Sequence, residues 1–244
     1  MEKENVLKRG NLMGTVVAIG GMRKGIEDIG FICKKIIEQS KKANSQLLYV
    51  PTANNDHKGY SEYMVKFFED NFKCKVDTLW LVNQHINLEE IKEKILKSDI
   101  VFVEGGNLLK LLEVWEKNGI DNILKQAYEN GTIMSGISAG ANCWFEQAFS
   151  DSVQGKKFGF VKGLGFVKGC VCPHYNNQRR KTCFNYEARN RSDIPDVMYG
   201  IDEDNAVIIV DDKVEIISPN TLDTSGVKII KRKCKDLNEG SEQR

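Results

Sequence analysis

The sequence has little of the features that mark several specialised classes of protein. Its 35 basic and 34 acidic residues leave a formal net charge of +1, so there is no excess of charge with which to bind nucleic acid or an anionic membrane. No apolar run reaches the ~18 residues of a membrane-spanning helix, and the first residues lack the apolar core of a signal peptide. We therefore expect a cytoplasmic protein with no nucleic-acid or membrane partner.

Cysteine is present, but not at the spacing of a metal site or a disulfide framework. The seven cysteines are irregularly spaced, and the closest pair, Cys170 and Cys172, forms a C-x-C rather than a C-x-x-C motif. We expect reduced thiols, several of them in the core, as is usual for a protein of the cytoplasm. No metal ion is expected.

Length and composition are those of an ordinary globular protein. The 244 residues are 41% hydrophobic and 28% charged, which suffices for a sizeable buried core. Neither a linker nor an internal repeat interrupts the chain. We expect one domain over residues 1–244, with flexible ends at residues 1–12 and 233–244.

Up to residue 137 the sequence alternates between short apolar runs and longer amphipathic stretches. Nearly continuous apolar runs are typical of strands buried on both faces of a parallel sheet, and the stretches between them have the spacing of helices. The predicted strands are 15–21, 46–53, 76–82, 100–106 and 132–137. The predicted helices are 26–43, 61–72 with Ser61 as the N-cap, 88–97, and 108–130 with a break near Gly119.

After residue 150 the pattern changes to strands separated by polar turns. A strand is predicted over 162–172, a helix over 179–189, an antiparallel hairpin over 206–217 and a last strand over 227–231. The whole pattern predicts an α/β fold, a three-layer sandwich with a mostly parallel central sheet and a C-terminal β-hairpin.

The most informative motif is G-x-S-x-G at residues 136–140, which read GISAG. An apolar run precedes it and a run of small, helix-compatible residues follows it, which is the strand–turn–helix context of a nucleophile elbow. The helix amino terminus behind Ser138 would favour developing negative charge. This context predicts a serine hydrolase; the alternative is an ordinary tight connection between a strand and a helix.

A serine hydroxyl needs a neighbouring base to become a nucleophile, and histidine suits that role near neutral pH. The sequence has three histidines. His57 lies in a polar loop and His85 in a turn, whereas His174 follows an apolar strand after the elbow. We therefore expect His174 to be the base.

A carboxylate should hold that histidine in its productive tautomer. The acidic loop before the predicted hairpin offers Asp202, Glu203 and Asp204. The loop directly precedes an apolar strand, so it could reach the same edge of the sheet. The residues themselves do not choose among the three.

Four motifs in chain order resemble the peptidase E (aspartyl dipeptidase) family of serine peptidases, which also includes cyanophycinases. They are VEGGN at 103–107, GISAGAN at 136–142, PHY at 173–175 and the acidic loop at 202–204 with the asparagine that follows it. The resemblance extends from about residue 16 to residue 219. It implies a class I glutamine amidotransferase-like (flavodoxin-like) α/β sandwich and a triad in the chain order Ser, His, Glu.

The resemblance also implies a role for each matching residue. It implies a peptidase that hydrolyses small peptides through an acyl-enzyme intermediate, needs no metal or organic cofactor, and acts as a dipeptidase on N-terminal aspartate. The implied triad is Ser138, His174 and Glu203. The implied oxyanion hole consists of Gly105, Gly106 and Ala139, and Asn107 is expected to line the same pocket.

Substrate binding is expected to involve two adjacent arginines. Arg179 and Arg180 follow His174 closely and could bind a substrate carboxylate bidentately; the alternative is a basic helix start on the surface. The segment after His174 is shorter than in peptidase E itself, which weakens the case for aspartate. The expected partner is a small peptide, and apolar helix faces would permit a homodimer.

Three other functions remain open at this point. A cyanophycinase-like peptidase would cleave β-linked aspartyl-arginine polymers. A class I amidotransferase-type amidase would carry cysteine where this chain has Ser138. A non-catalytic small-molecule binder would keep the fold without the reaction, and the presence of serine, histidine and glutamate in the matching positions argues against it.

Overall fold

The structure is a computed structural model that describes residues 14–82, 87–153, 155, 157–211 and 213–232. The two ends expected to be flexible, the candidate base His85, and Cys234 lie outside the described residues. The six cysteines inside them are all free, and five of the six are buried.

Twelve strands of the described chain form two sheets. The strands are β1 Thr15–Ile19, β2 Gln46–Val50, β3 Lys75–Thr78, β4 Ile100–Val103, β5 Ile133–Ile137, β6 Phe145–Ser150, β7 Gly159–Lys162, β8 Val167–Pro173, β9 Val197–Ile201, β10 Ala206–Val210, β11 Lys213–Ile217 and β12 Val227–Lys231. The larger sheet has the order β11-β10-β1-β5-β4-β2-β3, and the smaller one has the order β12-β9-β8-β6-β7.

The larger sheet is the predicted, mostly parallel one. Its first five strands in chain order pair in parallel, whereas β10 pairs antiparallel with β1 and β11 antiparallel with β10. The predicted hairpin thus extends the central sheet at β1. This confirms the α/β class with a mostly parallel central sheet.

The helices lie on both faces of this sheet and outside the smaller one. They are α1 Gly30–Gln39, α2 Lys58–Phe72, α3 Leu88–Lys97, α4 Leu108–Lys117, α5 Ile120–Glu129, the single turn α6 Ala139–Asn142, and α7 Gln178–Asn190. Within the described residues, no helix combines the length and the apolar character needed to cross a membrane.

Strand β1 shows why the central strands are apolar throughout. Val17 and Ile19 belong to a core shared with α1 and α2, and the alternating Val16 and Ala18 belong to the opposite core, shared with α3, α4 and α5. All four side chains are fully buried. Because successive side chains point to opposite faces, a strand covered on both sides is apolar at nearly every position.

The smaller sheet was not predicted. Its inner face, including Val171 and Tyr199, joins the same core as α3 to α5, and its outer face packs Phe149 and Cys172 against Phe184 of α7. The run after Ser138 is helix-compatible, but it forms only one turn before β6 begins at Phe145. The strand predicted over 162–172 begins only at Val167, as β8, and Lys162 is instead the last residue of β7.

Two predicted helix starts are wrong. The helix expected over 26–43 opens with a 3-10 turn, Ile26–Ile29, before α1. Helix α2 begins at Lys58 rather than at Ser61, because the ring Nδ1 of His57 accepts the N–H of Tyr60 at 3.2 Å. Histidine is not among the usual N-cap residues, so sequence reasoning preferred the serine.

We expect the chain to tolerate no side chain at Gly20, the residue after β1. A Cβ atom there would lie 2.2 Å from the carbonyl oxygen of Asp202 and 2.4 Å from that of Ile201, both of them backbone atoms that cannot rotate away. Overpacking of this kind costs about 1–3 kcal/mol, so Gly20→Ala should lower the free energy of unfolding in urea by about that amount.

The matched control is Gly30→Ala at the start of α1. A Cβ atom at Gly30 would meet only Phe67 Cζ, at 3.7 Å, an ordinary contact, and alanine has the higher helix propensity by up to ~1 kcal/mol. The control should therefore be as stable as the wild type or more stable. A Gly20→Ala protein with unchanged stability would contradict the close approach.

Candidate active site

Ser138 occupies a strained turn between β5 and α6. Its backbone has φ 55° and ψ −111°, a sparsely populated conformation for a residue with a side chain. The flanking glycines allow the turn to pack closely: a Cβ at Gly136 would lie 2.4 Å from Gly140 O, and one at Gly140 would lie 2.1 Å from Val103 O. The predicted strand–turn–helix context is present, with a helix of one turn.

Ser138, His174 and Glu203 form one hydrogen-bonded chain. His174 Nε2 lies 2.8 Å from Ser138 Oγ, and His174 Nδ1 lies 3.0 Å from Glu203 Oε1. Burial disfavours the charged form of Glu203, but hydrogen bonds from His174 and from Asn176 (3.2 Å) outweigh it and hold the pKa of this carboxyl below its ordinary value. The acid beside the histidine therefore stays ionised.

The neighbouring acids have other surroundings. Asp204 forms an ion pair with Arg23, with Nε and Oδ2 3.1 Å apart. Burial raises the pKa of Asp202, although Lys181 and Arg23 partly offset it. Of the three candidate acids, all within the described residues, only Glu203 hydrogen-bonds to His174.

The end of β1 holds these segments together. The carbonyl of Ile19 accepts the N–H of Ser138 (3.0 Å), that of Gly20 accepts the N–H of His174 (2.8 Å), and that of Gly21 accepts the N–H of Asp204 (2.9 Å). Gly21 has φ 154°, and a Cβ there would lie 2.6 Å from the His174 ring. Three successive carbonyls thus fix where serine, histidine and acidic loop stand relative to one another.

The three residues expected in the oxyanion hole differ in the contacts that they make. Gly105 packs against it, since a Cβ on Gly105 would be 3.3 Å from Ser138 Cβ. Ala139 is the first residue of α6, where a backbone N–H has no acceptor within the helix. Gly106, the next residue, has φ 143° and packs against Ala53. A Cβ atom on Gly106 would lie 2.2 Å from the carbonyl oxygen of Ala53.

Two cavities meet at His174. The first, which we call the Ser138 cavity, measures about 270 Å³ and is lined by Gly21, Met22, Asn54, Tyr60, Met64, Glu104, Gly105, Ile137, Ser138 and His174. The second, the Arg180 cavity, measures about 440 Å³ and is lined by Asp151, Phe158, His174, Asn176, Asn177, Arg180 and Glu203. A substrate bound at Ser138 could extend into both.

Of the three residues expected to bind substrate, only Arg180 lines one of these cavities. Its side chain is 7% exposed and forms an ion pair with Asp151, with Nη2 and Oδ2 2.7 Å apart, and its guanidinium lies over the Phe158 ring. Arg179 is exposed on α7. The side chain of Asn107 accepts the N–H of Lys110 at 3.0 Å and so caps α4.

Glu104 is a site residue that sequence reasoning missed. It lines the Ser138 cavity, is 4% exposed, and accepts hydrogen bonds of 2.6 Å from Tyr49 Oη and Asn54 Nδ2. Burial raises the pKa of its carboxyl despite these hydrogen bonds. The sequence signal that could have identified Glu104 is a single acidic residue directly after the all-apolar strand β4.

The arrangement supplies the parts of nucleophilic catalysis. An imidazole that is hydrogen-bonded to a serine hydroxyl on one side and to an ionised carboxylate on the other can remove the hydroxyl proton. Among the described residues, no group of three or more His, Cys, Asp or Glu side chains is arranged to hold a metal ion.

Comparison with known proteins agrees with the fold and gives a family. The sequence matches the family description "Peptidase family S51" over residues 16–217. It is 33% identical over 173 residues to the uncharacterized peptidase YgaJ of Bacillus subtilis strain 168, covering 68% of this chain and 71% of that protein. It is 26% identical over 149 residues to the uncharacterized peptidase Lmo0363 of Listeria monocytogenes, covering 57% and 70%.

Two crystal structures share the fold at low sequence identity. One is of a protein from Listeria monocytogenes EGD-e provisionally named peptidase E, with a TM-score of 0.65, 21% identity, and coverage of 85% of this chain and 100% of that one. The other is of a peptidase from an acI-B1 Actinobacterium, with a TM-score of 0.68, 16% identity, and coverage of 91% and 92%.

The choice of Glu203 among the three acids can be tested without a substrate. A charge-assisted hydrogen bond from His174 Nδ1–H to a carboxylate should shift that proton far downfield in the NMR spectrum. Glu203→Gln should abolish the downfield resonance, and the matched change Asp202→Asn should leave it in place. A resonance that survives Glu203→Gln, or that disappears in Asp202→Asn, would place the partner of His174 elsewhere in the loop.

Proposed function

Because the chain belongs to peptidase family S51 and is therefore a serine peptidase, we propose that it hydrolyses small peptides through a Ser138–His174–Glu203 triad and an acyl-enzyme intermediate. The observation that carries this proposal is the unbroken hydrogen-bonded chain from Ser138 Oγ through both ring nitrogens of His174 to Glu203. It stands beside two cavities, at the carboxyl ends of parallel strands, where ligands of α/β sheets gather.

In the proposed reaction His174 Nε2 takes the proton of Ser138 as Oγ attacks the carbonyl carbon of the scissile bond. The backbone N–H groups at Ala139 and at the Gly105 turn stabilise the oxyanion, and each donor of this kind lowers the barrier by about 3 kcal/mol. His174 then gives its proton to the leaving amine. Water, activated by the same histidine, releases the acyl group from Ser138.

Glu203 keeps His174 in the tautomer that this reaction needs. With the Nδ1–H donated to Glu203 Oε1, the lone pair of Nε2 faces the serine. The lowered pKa of Glu203 keeps it charged, so it also stabilises the imidazolium that forms in the first step.

N-terminal aspartate is the specific substrate that we propose to test first. Arg180 is the cation that lines a cavity beside the triad, but it is already paired with Asp151. Aspartate selectivity therefore requires the substrate carboxylate to take the place of Asp151, whose side chain is 61% exposed and free to move aside.

We expect Ser138→Ala to lower hydrolysis by at least about a thousandfold, because the reaction loses its nucleophile. The assay is a peptide panel with α-Asp-X, β-Asp-X, Glu-X, Asn-X, neutral and N-blocked members, compared with the wild type and with Ser40→Ala as a control outside the site. Cleavage of only β-Asp-Arg would favour a cyanophycinase-like activity. Full activity in Ser138→Ala would contradict the proposed nucleophile.

Replacing Asp151 should change the selectivity for aspartate over asparagine if Arg180 binds the side-chain carboxylate of the substrate. Asp151→Asn removes the competing anion, and a partly exposed ion pair is worth up to ~1 kcal/mol, so the ratio of kcat/KM for Asp-X over Asn-X should rise a few-fold. Asp193→Asn, which removes an acid paired with Arg191, is the control and should leave the ratio unchanged. A wild-type ratio near one that Asp151→Asn does not alter would rule out aspartate selectivity.

A further inference from the structure

The Ser138 cavity contains an acidic group that the proposed reaction does not use. Glu104 follows β4 and is buried among Tyr49, Asn54 and the cavity wall. When it is ionised, this carboxylate offers about four acceptor positions, of which Tyr49 and Asn54 occupy two. Among the described residues that line this cavity there is no lysine and no arginine. His174 lines it but is hydrogen-bonded to Ser138 and Glu203, and His57, whose charge acts on Glu104, is not part of the lining.

The two cavities are bordered by different pairs of residues from the proposed triad. Ser138 and Gly105, the attacking group and a member of the expected oxyanion hole, both line it. The Arg180 cavity borders His174 and Glu203 instead. We place the acyl residue, the one that becomes bonded to Ser138 when its carbonyl carbon is attacked, in the Ser138 cavity, against the wall that holds Glu104.

We propose that the Ser138 cavity binds a cationic nitrogen of the acyl residue, with Glu104 as its counter-ion. This inference rests on the proposed function and names the substrate class of that same site. Two sources carry this chemistry, the α-ammonium of a free N-terminal residue and the ammonium of a lysine-like side chain.

The surroundings favour a cation over a neutral group. A buried carboxylate whose two hydrogen-bond donors, Tyr49 and Asn54, are both neutral is costly to ionise. A desolvated ammonium supplies the missing charge and donates to the free acceptor positions. Tyr60 lines the same cavity, and its ring gives a further favourable surface for a cation. A substrate carboxylate would be repelled here, so the side chain of an aspartyl substrate belongs in the Arg180 cavity.

Three phosphonate diphenyl esters that share one four-carbon side-chain skeleton and differ in whether and where they carry an ammonium test the proposal. They are the analogues of norleucine with a free amine, of N-acetyl-norleucine and of N-acetyl-lysine. Ser138 Oγ forms a bond to phosphorus, the bond from phosphorus to one phenoxide breaks, and phenol leaves with the proton that His174 accepted. Intact-mass spectrometry follows the rate of labelling, and Ser138→Ala should not be labelled.

We expect at least one cationic ester to label the wild type about tenfold faster, or more, than the neutral ester. A faster free-amine norleucine ester identifies the α-ammonium, and a faster N-acetyl-lysine ester identifies a side-chain ammonium. Glu104→Gln should bring the cationic-to-neutral ratio close to one. Glu113→Gln, the same change at an exposed position of α4, should keep the wild-type ratio.

A measurement on the wild type covers the case in which Glu104→Gln fails to fold. Hexylamine should protect Ser138 from a broad fluorophosphonate, and hexanol at the same concentration should not. Two results would overturn the assignment of Glu104 without contradicting Ser138 as the nucleophile. In the first, the fluorophosphonate labels Ser138 but the cationic esters react no faster than the neutral one. In the second, the cationic esters react faster and remain faster in Glu104→Gln. Failure of the fluorophosphonate to label Ser138 at all contradicts the proposed function itself.

Discussion

Three consecutive backbone carbonyls at the end of β1 are the constraint on which the site depends. Ser138 follows β5 of the central sheet, His174 follows β8 of the smaller sheet, and Asp204 lies in the turn before β10. Each donates its N–H to the next carbonyl of residues 19–21. These three hydrogen bonds hold segments from two sheets in fixed positions relative to one another. The triad needs such fixed positions, because its own hydrogen bonds are only 2.8–3.0 Å long.

This arrangement stores backbone strain at the two residues that face each other across the proposed reaction. Ser138 has φ 55° and His174 has φ 52°, and a residue held in such a region costs about 1–3 kcal/mol. The neighbouring strands are fully buried on both sides of the sheet, so the packing around β1 and β5 over-determines the turn. These backbone conformations direct the side chains of Ser138 and His174 away from the strand ends and toward each other, where they are hydrogen-bonded.

The apolar runs sufficed to predict four of the five parallel strands of the central sheet, because burial on both faces leaves a nearly continuous signal. The edge strand β3 is not buried on both faces and ends at Thr78, before most of the apolar run 76–82 that predicted it. The strands of the smaller sheet have a weaker apolar signal in the sequence, because β6 mixes Glu146 and Gln147 with aromatic residues and β9 contains Gly200. The residues alone did not favour Glu203 over its neighbours, and only the family resemblance did, because the choice depends on a contact with His174 across 29 positions of the chain. The ion pair that occupies Arg180 joins residues 29 positions apart, a contact that only the fold brings about.

The central claim is that β1 aligns these segments so that Ser138 carries the acyl group during peptide hydrolysis. The most direct measurement is rapid acid quenching of the working enzyme with a peptide ester, followed by intact-mass spectrometry and mapping of the modified residue. The account predicts an adduct with the mass of the acyl group, located on Ser138. Hydrolysis that proceeds with no adduct, or with the adduct on another residue, would contradict it.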